Sequence, residues 1–293
     1  MRQDEIQQVR RFNRLVTQRI GALEDSYLSR GRPLGEARLI FEIGGAGGCD
    51  LSALRHRLGL DSGYLSRLLR SLEGQDIVEL RQAAGDGRAR SVSLTAQGRQ
   101  EFAAYDALSD ELAENVLSSL DDARRRRLVA AMAEVEKLLR LASIELAIEV
   151  PESGDGRWCL ERYFAELAVR FEEGFDPQQG GHDPADMHPP AGWLLVARLD
   201  GEPIGCGALI RLDERIGEIK RVWTAPAARG LGVAGKLMDR LEALAAEAGF
   251  DVVRLDTNKA LSEAQAMYAK RGYAAIDRYN DNPYAHHWFE KRL

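Results

Sequence analysis

Leu51, Leu54 and Leu58 recur at three- and four-residue steps, and Leu65, Leu68, Leu69 and Leu72 do the same shortly after. The spacing predicts two short amphipathic helices, the first capped by Asp50, joined through "LGLDSG". Ahead of them a helix is expected over residues 3–30, ending near Gly31 and Pro33, and a second over "LGEARLIFEIG", stopped by "GGAGG". After them "IVELRQAAGDGRARSVSLT" reads as two short strands joined by a Gly-Asp-Gly turn. Two longer helices follow, over about 95–118 and 121–147, separated by "LDD".

Past Pro151 and "ESGDG" the pattern changes from helical to mixed. Residues 158–173 form a helix, then "GFDPQQGGHDPADMHPPAG" is a loop dense in Gly, Pro and Asp. "WLLVARLDGEPIGCGALIRL" is a hairpin turned at Asp200-Gly201. A strand "GEIKRVWTA", an amphipathic helix through Ala248, a strand "DVVRLDTN" and a helix "SEAQAMYAKRG" follow, and the tail makes two strands around a loop. The chain therefore divides into a mainly α domain over 1–148 and an α/β, mixed-sheet domain over 149–293.

Composition adds limits to this picture. With 45% hydrophobic and 29% charged residues among 293, the chain reads as two soluble globular domains. No apolar run is long enough to span a membrane and the N-terminus lacks a signal-peptide core, so a cytoplasmic protein is expected. Cys49, Cys159 and Cys206 stand far apart, which suggests neither disulfides nor a metal site; each is expected to be a small buried apolar residue. The net charge of −6 argues against nucleic-acid binding until it is divided. The first 145 residues carry 22 basic and 22 acidic side chains, so the whole deficit lies beyond them and the first half keeps its arginines for phosphates.

The loop in "VWTAPAARGLGVAGKLM" carries candidate chemistry. Ala234, Leu237, Met238, Leu241 and Leu244 place a helix start near Gly230 to Val233. Its first N–H groups lack intrahelical partners and favour an anion, which Gly230 and Gly232 would let approach and Arg229 would bond. A tight strand-to-helix turn with an exposed arginine fits the same residues. GxxxxGK[ST] is not present, because Leu237 follows Gly235 and Lys236, which excludes an ATPase loop.

"RGLGVA" resembles the R-x-x-G-x-A pyrophosphate loop of the GCN5-related N-acetyltransferases (GNAT), and the flanks agree over residues 155–293. The resemblance implies acetyl-CoA as co-substrate, held by Val222, Trp223, Thr224, Arg229, Gly230, Leu231, Gly232, Val233, Ala234, Asn258 and Tyr268. It places Tyr268 where the departing sulfur is protonated, and Glu218 where the histone-acetylating branch keeps a general base. The bland alternatives are that Tyr268 is core and Glu218 an ion-pair partner of Lys220. The acceptor, a small amine or amino acid, is expected against Phe175, Tyr279, Asn282, Tyr284 and His286. His286 and His287 would face opposite sides of a strand, so no metal is expected there.

In the first half, the helix pair followed by a hairpin describes a winged helix-turn-helix, with "DSGYLSRLLRSLEGQDIV" in the major groove. Ser62, Tyr64, Ser66, Arg67 and Arg70 would face outward, and Arg88 and Arg90 of the wing would meet phosphates or a narrow minor groove. The wing's Asp86 and Arg88 with "SLTAQGR" resemble the MarR family of regulators over residues 3–146. That resemblance implies a homodimer on a palindromic double-stranded operator, with Leu112, Val116, Leu117, Leu120 and Leu128 supplying apolar surface. "ARRRR", residues 123–127, is read as a solvated face or subunit contact. Together the two resemblances imply a bifunctional regulator and acetyltransferase, or alternatively a regulator whose second half senses acetyl-CoA or an amine with little turnover.

Overall fold

Local signals place most of the elements. The computed structural model describes residues 2–22, 26–82, 90–172, 174–176 and 184–293, and backbone contacts divide the chain between Met132 and Ala133. The first unit holds α1 (Gln3–Arg19), α2 (Leu34–Gly45), β1 (Cys49–Asp50), α3 (Leu51–Leu58), α4 (Ser62–Gly74), β2 (Val78–Gln82), β3 (Arg90–Leu94) and α5 (Ala96–Ser118). Asp50 caps α3 by accepting from Ser52 N and Ala53 N, and Asp61 caps α4 by accepting from Tyr64 N. Gly59 ends α3 in the left-handed region (φ 60°). The strands pair in the order β1-β3-β2, a small wing sheet beside the helix pair. Leu54, Leu65, Leu68, Leu69 and Leu72 share one core with Ile40 and Ile43 of α2 and Val92 of β3. The structure is therefore a winged helix-turn-helix. Cys49 is half-buried rather than buried.

Two helical expectations are corrected. The first helix ends at Arg19, not near residue 30; Gly21 takes φ 65°, and a single 3₁₀ turn follows at Tyr27–Ser29. The helix expected over 121–147 is α6 (Asp122–Ser143), and Glu145–Glu149 is a strand, β4. The unit division falls within α6, and the boundary expected at 148/149 falls inside β4.

The second unit continues with α7 (Gly154–Arg170), β5 (Gly192–Leu199), β6 (Glu202–Arg211), β7 (Ile216–Thr224), α8 (Val233–Glu247), β8 (Val252–Thr257), α9 (Ser262–Lys270), β9 (Ala274–Ile276) and β10 (His287–Arg292). Seven strands form one sheet in the order β4-β5-β6-β7-β8-β10-β9. The β5–β6 hairpin turns at Asp200 and Gly201, both at positive φ (55° and 83°). Alternation along β5 separates two cores: Leu195 and Ala197 join α8 on one face, whereas Leu194 and Val196 join α7 on the other. Fully burying a side chain such as Leu237 of α8 contributes about 1.5–3 kcal/mol. This is the α/β mixed-sheet fold expected.

β7 and β8, the sheet's one parallel pair, make the site possible. They pair at Ile216–Glu218 against Val252–Arg254 and then part. Among the described residues, β7 from Ile219 onward keeps β6 on one edge and has no strand partner on the other. A bulge in β7 opposite Cys206 and Ala208 sets Arg221 at φ 57°. No described helix is long and apolar enough to cross a membrane.

Candidate functional site

The gap between the parted strands opens into a cleft of about 420 Å³. Val222, Trp223 and Thr224 of β7 form one wall, α7 and α9 supply others, and Arg229, Gly230, Gly232, Val233 and Ala234 close one end. Gly230 and Gly232 take φ 81° and 90°, a region that would strain any other residue. Gly232 is the N-cap of α8 and no side chain caps that helix, so its first-turn N–H groups are left for a ligand in the cleft. Thr224 Oγ1 is buried without a hydrogen-bond partner on the same wall. A phosphate-accepting helix end, an unpartnered strand edge and an orphaned hydroxyl suit an elongated ligand with an anionic end and amide groups, such as acetyl-CoA.

A second cavity, of about 100 Å³, adjoins the first. Val222 and Tyr268 line both, so the two spaces meet at those residues. Phe164, Phe171, Phe175 and Tyr284 wall the second cavity, with Phe175 and Tyr284 ring centroids 4.9 Å apart. Its charged lining is Lys220, Arg221 and Asp256. Burial lowers the Arg221 pKa, and its guanidinium lies over the Phe164 ring at 5.6 Å. Tyr268 is 7% exposed; burial first, then the Asp256 charge, raises its pKa and keeps the phenol protonated.

The expected site residues distribute unevenly. All of the coenzyme residues line the cleft except Leu231 and Asn258. Asn258 lies in the smaller cavity, where its side chain donates to Tyr284 O and accepts from Ala260 N, both at 2.8 Å. Of the acceptor residues, Phe175, Asn282 and Tyr284 line the second cavity. His286 lines a separate space of about 170 Å³ beside Tyr284, and Tyr279 lines none of these. His286 precedes β10 rather than belonging to it, and among the described residues no cluster could hold a metal ion.

Glu218 is set apart from both cavities. It is fully buried and accepts from Tyr279 Oη at 2.7 Å and Asn280 Nδ2 at 3.0 Å, with Lys220 Nζ at 3.4 Å. Of the two sequence readings of Glu218, the ion pair with Lys220 is the one whose contact is present. Lys220 also reaches Asp256 at 3.3 Å, and Asp256 accepts from Asn280 at 2.6 Å and Asn282 at 2.9 Å. Two buried carboxylates thus anchor the loop before β10.

Sequence reasoning missed Tyr163, Glu166 and Arg170 of α7, and also Lys220, Arg221 and Asp256. Glu166 and Arg170 stand one helical turn apart, and Asp256 is the aspartate of "LDTN", but no periodicity marks them as cavity residues.

On the winged helix-turn-helix, Ser62, Tyr64, Ser66, Arg67, Arg70 and Arg90 are all exposed, as a reading face requires. The Arg67 guanidinium lies over the Tyr64 ring at 5.7 Å. Arg88 and the wing turn lie outside the described residues. Arg124 and Arg125 pair with Asp121 and Asp122, as residues of a solvated face do.

Comparison with known proteins agrees with both halves. The acetyltransferase (GNAT) family profile matches residues 160–273, and the MarR family profile matches residues 30–89. An IAA acetyltransferase of Azospirillum brasilense is 34% identical over 128 residues, 43% of this chain and 77% of that protein. An N-acetyltransferase of Mycobacterium bovis is 39% identical over 80 residues, 27% of this chain and 51% of that protein, so the chain spans about half of its length. The HTH-type transcriptional regulator BilQ of Clostridium symbiosum is 28% identical over 107 residues, 36% of this chain and 74% of its own. Among solved structures, a GNAT-family acetyltransferase from Staphylococcus aureus is 19% identical with a TM-score of 0.44, covering 51% of this chain and 99% of that one.

Proposed function

Because the chain belongs to the acetyltransferase (GNAT) family in its second half and carries a MarR-type winged helix-turn-helix in its first, we propose that it is bifunctional. It binds a palindromic operator as a homodimer and transfers an acetyl group from acetyl-CoA to a small amine or amino acid.

The enzymatic part rests on one observation: Val222 and Tyr268 line the cleft and the smaller cavity alike. Acetyl-CoA supplies the thioester when bound. The free edge of β7 would pair with the pantetheine amides, Thr224 would offer its hydroxyl, and Arg229 with the first turn of α8 would hold the diphosphate. A cavity of about 100 Å³ admits a small acceptor group. Asp256 is the one carboxylate lining it among the described residues and stands there with Lys220 and Arg221, so the lining suits an acceptor that carries a carboxylate beside its amine. After the amine has lost a proton to water, its nitrogen forms the C–N bond as the C–S bond breaks. Tyr268, still protonated, donates its proton to the departing sulfur, and the proton that the nitrogen sheds as the amide forms goes to water, from which Tyr268 is reprotonated.

The dimer is supported by exposed apolar surface. α1 buries no residue and exposes Val9, Phe12, Leu15 and Val16, with Ile20 exposed just after it, a face that water alone would not favour. The test is a screen of amines for acetyl-CoA-dependent thiol release, repeated with duplex DNA. A chain that binds coenzyme A yet releases no thiol above hydrolysis with any amine would be a binding module, not an enzyme.

A further inference from the structure

Four charged side chains stand in a row along the coenzyme cleft. Arg229 of the phosphate loop donates to Glu166 Oε2 at 2.5 Å, and the same oxygen takes the indole N–H of Trp223 at 2.8 Å. Arg170, one turn along α7, donates to Glu166 Oε1 at 3.3 Å and to Glu263 Oε2 of α9 at 2.9 Å. All four line the cleft, so the row links the phosphate loop to α7 and α7 to α9.

Two members of that row, Glu166 and Glu263, have the wrong sign for the ligand, and Glu166 is the one that touches the phosphate loop. A carboxylate beside a phosphate-accepting loop repels an anion and also occupies the loop's guanidinium. The Arg229 side chain is 49% exposed, and an ion pair so open to water is held weakly. A diphosphate offers more charge and can take a guanidinium through two parallel bonds. The loop's glycines and the α8 N-terminus attract an anion without Glu166, so the carboxylate adds nothing to that attraction.

Resting on the coenzyme reading of the cleft, we infer that Glu166 sets coenzyme affinity by competition. It holds Arg229 in the free protein and yields it to the diphosphate on binding. Affinity is thereby kept below what the loop alone would give, which eases the departure of coenzyme A after transfer.

The test is titration calorimetry of coenzyme A against the full chain, its Glu166→Gln and Arg229→Gln variants and the double variant. The glutamine carbonyl still accepts the Trp223 indole N–H, so the wall is kept while the charge is lost. Glu166→Gln should bind about threefold to tenfold more tightly. Arg229→Gln should bind more weakly, and the gain from Glu166→Gln should shrink in its presence. Should the glutamine variant fail to fold, Glu166→Ala is read in the same way. Equal or weaker binding by the neutral variants overturns competition and makes Glu166 a support for Arg229. An absence of heat with the unaltered chain removes the coenzyme reading, and the competition with it.

Discussion

Glu218 accepts the phenol hydrogen of Tyr279 at 2.7 Å, and through that bond a strand at the centre of the sheet holds the loop that walls the acceptor cavity. The carboxylate is fully buried, and Tyr279, Asn280 and Lys220 help to satisfy it. Asn280 bridges it to Asp256, and Asn282 and Tyr284 on the same loop reach the cavity.

Replacing Glu218 with Gln should therefore cost stability more than chemistry. Tyr279, Asn280 and Lys220 all meet Oε1, so the glutamine carbonyl can keep those contacts, but it loses the negative charge that strengthens them, a loss of about 2 kcal/mol. Urea denaturation should show that loss. The acid limb of kcat/KM against pH should keep its midpoint, whereas a residue serving as general base would take that limb with it.

Tyr268→Phe should lower kcat by about 10²-fold while coenzyme A binding by calorimetry changes little. The ring packs against Tyr273 and Phe289 at 5.8 and 5.9 Å, contacts phenylalanine retains, so the variant isolates the hydroxyl. Unchanged turnover would make Tyr268 a packing residue at the junction of two cavities.

Much of this arrangement was legible in the chain because it is local. Asp50 and Asp61 announce their helices, Asp200-Gly201 its hairpin, and the glycines after β7 a phosphate-type loop. What escaped depends on distant partners. The helical spacing of α6 runs on to residue 147, yet "ELAIE" pairs with β5, some fifty residues on, from Glu145↔Arg198 to Glu149↔Leu194. The end of α1 was assigned to Gly31 and Pro33, but Gly21 had already taken the left-handed turn. Glu166 and Arg170 look like an ordinary one-turn ion pair on a helix surface; the fold, not the helix, sets Glu166 against Trp223 and Arg229 and Arg170 against Glu263. Asp256 likewise gains its meaning from the parting of β7 and β8, which no single strand reveals.

Alkaline pH should unfold the second unit from within. Burial, followed by the nearby charges of Asp256, Glu242 and Glu218 respectively, raises the pKa of Tyr268, Tyr273 and Tyr279 above the ordinary 10.0. A raised folded-state pKa means the unfolded chain loses these protons first. The stabilisation is intact below pH 10 and erodes as pH climbs from there toward the folded values. Each phenol should remove up to about 1.4 kcal/mol per pH unit in that window. Denaturation between pH 8 and 11 should show the decline, and Tyr279→Phe should make it shallower. A flat profile would mean these phenols ionise as freely in the fold as outside it.

Arg67 and Arg90 test the other half of the chain, because both are exposed and occupy different elements, the reading helix and the wing strand. Arg67 lies within the first two turns of α4, capped by Asp61, and near Tyr64, whose ring its guanidinium overlies. A guanidinium held there can reach a base edge as well as a phosphate, so Arg67→Ala should weaken operator binding more than binding to unrelated duplex, by about 1–3 kcal/mol. Arg90, at the base of the wing, has backbone phosphates as its natural partner. Arg90→Ala should weaken all duplexes alike and flatten the dependence of log K on log salt by about one unit per phosphate lost. Fluorescence anisotropy over a salt series separates the two outcomes. If neither variant shifts affinity even at low salt, the helix-turn-helix face does not touch DNA, and the first unit serves to pair subunits instead.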